Sequence, residues 1–157
     1  MKDKQILITG ATSGIGKETA WALANLGAHI SFTGRHREKD LKIQEGLRHE
    51  TGNQEIHFHY CDLASFESIT TFTAEFRKSN KNLNILINNA GTWDSEKIYT
   101  SNGIESHLAV NHLAPYLMTS QLLPLMKKSP LKNIHPLGRR LIFRILRARN
   151  TSKGLWK

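Results

Sequence analysis

A strongly apolar run, Gln5-Ile6-Leu7-Ile8, passes directly into Thr9-Gly10-Ala11-Thr12-Ser13-Gly14-Ile15-Gly16, and a helical pattern opens at once behind it. A strand, a glycine turn and a helix start in that order confine the chain to a narrow set of folds, because each glycine answers a separate steric demand. Gly10 permits a tight turn straight off the strand. Gly14 has no Cβ to hold an anion away from the backbone, and Gly16 lets the helix lie close on the strand. The helix start then presents unpaired N–H groups and the positive end of its dipole. Such a turn is built to receive a dinucleotide pyrophosphate.

The following hundred residues alternate the two periodicities. Strands are expected at Lys4–Thr9, His29–Thr33, Glu55–Tyr60 and Leu83–Ile87. Helices are expected at Ser13–Leu26, Glu38–Glu50, Ser65–Lys78 and Ser101–Met126. In the first helix Ile15, Thr19, Ala22, Leu23 and Leu26 share one face, and Gly27 ends it. In the third, Phe66, Ile69, Phe72 and Phe76 face inward behind a serine cap at Ser65. Alternation of this kind implies a parallel sheet with right-handed crossovers and helices on both faces. The length of 157 residues suits one domain.

The sequence motifs resemble the short-chain dehydrogenase/reductase family of classical type. The G-x-x-x-G-x-G spacing and the preceding Thr9 carry the resemblance first. Cys61-Asp62-Leu63 after the third strand, Asn88-Asn89-Ala90-Gly91 after the fourth and Val110-Asn111-His112-Leu113-Ala114-Pro115 in the long helix extend it over residues 4–126. The Arg35-His36-Arg37-Glu38-Lys39 turn and the Asn111–Pro115 run point to the retinol-dehydrogenase-like branch. The resemblance implies an α/β fold, a Rossmann-type doubly wound parallel sheet, incomplete at the C-terminal side. It implies hydride transfer between NADP(H) and an alcohol or carbonyl.

The resemblance also assigns residues. Thr9, Gly10, Ser13, Gly14, Ile15 and Gly16 would hold the cofactor at the glycine turn, Asp62 and Leu63 at the adenine. Asn89, Ala90 and Gly91 would pass beneath it. Asn111 matches the catalytic asparagine, and Pro115 four residues on has no N–H for its carbonyl. NADP is favoured over NAD at the end of the second strand. There Gly34 and Arg35 stand where an NAD site has a carboxylate, and an arginine grips a 2′-phosphate through two parallel bonds.

The pattern breaks after about Ser129. Residues 1–126 hold 12 Lys/Arg against 13 Asp/Glu, whereas residues 127–157 hold 10 Lys/Arg and no acid, so the whole +9 net charge lies in the last fifth. The family's serine and its Tyr-x-x-x-Lys pair have no counterpart: Tyr60, Tyr99 and Tyr116 are followed four residues on by Ala64, Gly103 and Ser120. The run 140–146, the expected fifth strand, carries Arg144 at its centre and no serine. A domain at 1–126 followed by a basic tail that departs from the family, through a frameshift or premature end, accounts for this. The alternatives are a non-catalytic nucleotide-binding module and a basic-tailed protein that meets an anionic membrane or nucleic acid. For the domain itself no nucleic-acid partner is expected.

Cys61 is the only cysteine, and no apolar run approaches 18 residues, so a cytoplasmic protein without a transmembrane segment is expected. His57 and His59 alternate along one strand without a third ligand, so no metal site is expected. Substrate and oligomeric state are not specified by these residues.

Overall fold

The computed structural model describes residues 1–129 and the strand residues 133 and 134. Its elements run β1 (Gln5–Thr9), α1 (Gly14–Asn25), β2 (His29–Gly34), α2 (Arg37–Thr51), β3 (Ile56–Tyr60), α3 (Phe66–Ser79), β4 (Ile85–Ile87), α4 (Ser106–Leu108), a π-helical turn (Ala109–Leu113), α5 (Ala114–Lys127) and β5 (Asn133–Ile134). All strands are parallel, in the order β3-β2-β1-β4-β5. The chain thus starts at the sheet centre, winds outward to β3 and crosses back beside β1, so the reversal of strand order falls between β1 and β4. Ligands of open α/β sheets bind at the carboxyl end of such a reversal.

Strand alternation divides the interior in two. Ile6 and Ile8 of β1 face a core shared with Ala20, Leu23 and Ala24 of α1, Leu47 of α2 and Phe32 of β2. Leu7, between them, faces the opposite core, built with Ile69, Phe72 and Phe76 of α3 and Met118, Leu122 and Leu125 of α5. A strand buried on both sides has to be apolar throughout, which is why β1 and β4 read as unbroken hydrophobic runs. The ends of α1 and α2 are set by backbone: Gly27 and Gly52 take φ of +76° and +69°, conformations that cost glycine little. Ser65 caps α3 by accepting the Ser68 N–H at 3.2 Å.

The structure corrects several expectations. The long helix does not begin at Ser101. Residues 99–105 close a small turn, with Gly103 at φ +72° and a bridge between Tyr99 and Glu105, and the Glu105 carboxylate then caps the helix by accepting the N–H groups of His107 and Leu108. Nor is the helix regular. One turn ahead of Pro115 it widens to a π-turn, in which Ala114 N–H donates to Ala109 O. Ile15 and Leu26 do not lie on the buried face of α1; they are 55% and 57% exposed, the first because it opens onto the cleft described below, the second because it is the cap residue. Beside β4 the described residues add a short fifth strand, Asn133–Ile134; the run 140–146, where the sequence places a strand, lies outside the described residues. The fourth strand is also shorter than expected. Leu83 and Asn84 precede it, and Asn84 uses both backbone and side chain to hold Gln5.

Among the described residues no helix is long and apolar enough to cross a membrane.

Candidate functional site

Asn89 fastens the carboxyl ends of the two central strands together. Its Nδ2 donates to Thr9 O at 3.1 Å and Gly10 O at 3.0 Å. In return the Thr9 hydroxyl accepts the N–H groups of Asn89 and Ala90, both at 3.0 Å. Thr9 is buried, so its part is to hold the turn from behind rather than to face a ligand. Asn88 extends the stitching outward with a 3.2 Å bond from Nδ2 to Thr119 Oγ1 on α5.

This arrangement leaves a cleft of about 930 Å³ above the strand ends, at the upper end of small-molecule sites. Gly10, Ser13, Gly14, Ile15 and Gly16 form its floor, with Asp62 and Leu63 on one side and Asn89, Ala90 and Gly91 beneath. The structure therefore gathers the sequence-selected residues around one cavity, apart from Thr9 behind it and Asn111 beside it.

The glycines meet their steric demands separately. Gly10 turns at φ +66°, and a Cβ there would lie 2.8 Å from Ala90 Cα. At Gly16 a Cβ would stand 2.2 Å from Gly10 O and 2.4 Å from Asn89 Nδ2, so the helix start is packed directly on the strand exit. Gly14 takes φ +51° with open space where its Cβ would be. Ser13 is the N-cap of α1 but makes no capping bond. The first turn of the helix thus faces the cleft with its donors uncommitted to a side chain. An anionic group fits this cradle, and a dinucleotide pyrophosphate fits it by charge and reach.

The wall beyond β2 is short. Only Arg35 and His36 separate β2 from α2. Arg35, His36 and Lys39 line the cleft, and Arg35 makes no ion pair among the described residues. Arg37 turns away and lies over the Tyr60 ring at 4.9 Å. The sequence reading missed Asp40. Though six residues beyond the strand, its Oδ2 accepts the His36 N–H at 2.9 Å and comes within 2.2 Å of where a Cβ on Gly34 would be. The i, i+4 spacing to His36 at a helix start was the available signal.

Asp62 lines the opposite wall, its Oδ1 accepting Ala64 N–H at 3.0 Å. Burial first, then the Asp62 charge, pushes the Cys61 thiol up to about 12 against the pull of its Ser68 hydrogen bond. It packs as a neutral apolar group. His59 lies against Phe72 and Phe76 with Nε2 3.2 Å from Ser31 Oγ. Burial, and then His57, lowers it to about 4. No group of His, Cys, Asp and Glu among the described residues could hold a metal ion.

The remaining side of the cleft is the loop of residues 88–105, held by two side chains from the helix that follows. Asn111 clamps Thr92, accepting its N–H at 2.8 Å and donating to its O at 2.9 Å. His107 Nε2 accepts Asp94 N–H at 2.7 Å, and Nδ1 stands 2.8 Å from Glu105 Oε1. That geometry requires the Nδ1–H tautomer. Trp93 stacks on the His107 ring at 5.3 Å and is itself 88% exposed. The N–H groups of His107 and Leu108 hold the Glu105 carboxyl below its ordinary range.

The profile of the family described as short chain dehydrogenase matches residues 4–134. Human polyprenol dehydrogenase is 39% identical over 127 residues, 81% of this chain and 38% of that protein. Human retinol dehydrogenase 11 is 38% identical over 143 residues, 87% of this chain and 45% of that protein. Among solved structures, the RhlG/NADP active-site complex of Pseudomonas aeruginosa superposes with a TM-score of 0.70 at 27% identity, over 82% of this chain and 50% of that one. The chain therefore spans less than half the length of these two enzymes.

Proposed function

The chain belongs to the short-chain dehydrogenase family, in its retinol-dehydrogenase-like branch, and from that premise we propose that its cleft binds NADP(H) in preference to NAD(H). The observation that carries the reading is the pairing of two features in one cavity. The helix start at Gly14–Gly16 supplies donors and positive dipole for the pyrophosphate, and Arg35, in no ion pair among the described residues, stands at the wall where the ribose 2′ position would lie. Gly10 and Gly16 keep the floor low enough for the backbone to reach the anion. Asp62 borders the adenine end, and Ala90 and Gly91 border the nicotinamide end. A dinucleotide held there would be the group that supplies or takes a hydride when the catalytic residues of the family are present.

The 157 residues contain no Tyr-x-x-x-Lys, so no side chain of this chain plays the family's acid/base pair on a substrate oxygen. General acid–base assistance contributes on the order of 10²- to 10⁴-fold. The proposal is accordingly cofactor binding without turnover for this chain. In this chain Asn111 clamps Thr92, accepting its N–H and donating to its O.

Calorimetric titration of the chain with NADPH and with NADH tests the reading, alongside Gly14→Asp, which puts a carboxylate into the pyrophosphate cradle. The expected result is tighter binding of NADPH, no binding by the variant, and no NADPH oxidation with aldehydes or ketones. Equal affinity of the variant and the unmodified chain would remove the cleft from consideration, and turnover above the variant's background would contradict the inactive reading.

A further inference from the structure

An NAD-type site has a carboxylate at the end of its second strand, and by position this sequence has none: Gly34 and Arg35 stand there. The structure supplies one from elsewhere. Asp40 on α2 is 1% exposed, and its Oδ2 occupies the space into which a side chain on residue 34 would grow, 2.2 Å from the position of that Cβ. Thr12 closes the same space at 3.0 Å. Gly34, Thr12 and Asp40 all border the cleft. The missing side chain at 34 and the buried carboxylate are therefore one feature, since a Cβ at 34 would expel Asp40.

We propose that Asp40 is a specificity-determining residue that opposes Arg35, limiting the preference for a 2′-phosphate by placing a negative charge in the wall where that phosphate would sit. This rests on the reading of the cleft as a dinucleotide site. Arg35 and Asp40 act with opposite sign on the same group. Arg35 is exposed and screened by solvent, whereas Asp40 is buried and bound to the His36 N–H, and so is screened less. The cofactor's ribose hydroxyls are uncharged and do not meet this repulsion. Holding the turn is the plain structural role of the same bond. The two roles separate because asparagine keeps the shape and an acceptor oxygen for His36 N–H but lacks the charge.

The test measures affinities for NADPH and NADH with the full chain and three variants. Asp40→Asn is expected to raise the NADPH-to-NADH affinity ratio by about threefold to tenfold, the range of a like-charge contact at a partly screened site. Arg35→Ala, on an exposed residue that leaves the fold intact, is expected to invert the ratio in favour of NADH rather than bring it to one. The double variant is expected to bind the two with similar affinity. Arg35→Ala with equal affinities, or Asp40→Asn that weakens both cofactors alike, would overturn the proposal and leave Asp40 a turn-holding residue only. An unmodified chain that favours NADH would defeat the NADP reading while an intact response to Asp40→Asn sustained this one. A chain that binds neither cofactor would defeat both.

Discussion

The two walls that rise from the glycine floor are built on opposite principles. On the β2 side two residues join strand to helix, and the wall is fixed locally, by the His36 N–H donated to Asp40 Oδ2 and the Asp40 N–H donated to His36 O. On the β4 side eighteen residues, 88–105, wander before the next helix, and their shape depends on side chains that come back from beyond them: Asn111 to Thr92 and His107 to Asp94. The short wall is basic. The long one presents Trp93, Ile98 and Tyr99 at 88%, 50% and 62% exposure. A short connection inherits its conformation from the elements it joins, whereas a long one has to be fastened, and its fastenings open more readily than the core.

The floor common to both walls should give the largest effect. Gly16→Ala forces a Cβ to 2.2 Å from Gly10 O, a backbone contact that cannot yield without moving the strand exit. A loss of about 3 kcal/mol is expected, the upper range of overpacking, with both walls disturbed together. Denaturant unfolding measures it, and an unchanged midpoint would mean that the helix start is not held on the strand as described.

Acid should act next, first beneath the cleft at β3 and then on the long wall. On folding His59 moves from 6.5 to about 4, so the unfolded chain holds this proton more tightly. Stability is whole above pH 6.5 and falls as the pH drops toward 4. The loss is roughly 2 kcal/mol at most, since the ring is partly exposed. His59→Gln should flatten that part of the pH profile. The Glu105 cap of the long wall has the same sign in a lower window: its stabilisation is present above the ordinary carboxyl range and is lost below it. Unfolding curves at pH 7, 5 and 4 follow the first step, and a His59→Gln profile parallel to the unmodified one would contradict it.

The smallest effect belongs to the clamp. Asn111→Ala removes both bonds to Thr92 and should cost about 1 kcal/mol, read mainly as faster amide exchange in 92–105. The short wall should be unaffected. Equal acceleration at 34–36 would mean that the two walls are coupled.

The same contrast explains what the sequence disclosed. β1, the glycine turn, α1 and α2 follow from neighbouring residues, and Gly27 and Gly52 mark the ends of the two helices directly. The helix start at Ser106 was hidden because residues 101–105 have no strong helix breaker apart from Gly103, and because the Glu105 cap shows only once the chain has turned. Ile15 carried an apolar signal that the fold uses at a cleft instead of a core. The widened turn before Pro115 likewise has no local signature beyond the proline. Asp40 was missed by counting along the strand, since α2 returns a carboxylate to a position six residues earlier. Readings that rest on apolar runs and glycine stops close in sequence succeeded for β1–β3 and for α1–α3. Those that needed a side chain to reach across a loop did not.

The central claim is that the floor and the short wall form the dinucleotide site, and amide hydrogen exchange with and without saturating NADPH tests it most directly. The account predicts that the cofactor slows exchange most at 13–17 and 34–36, next at 61–64, and least at 95–105. Protection concentrated in 95–105, or no change at the helix start behind Gly14, would contradict it.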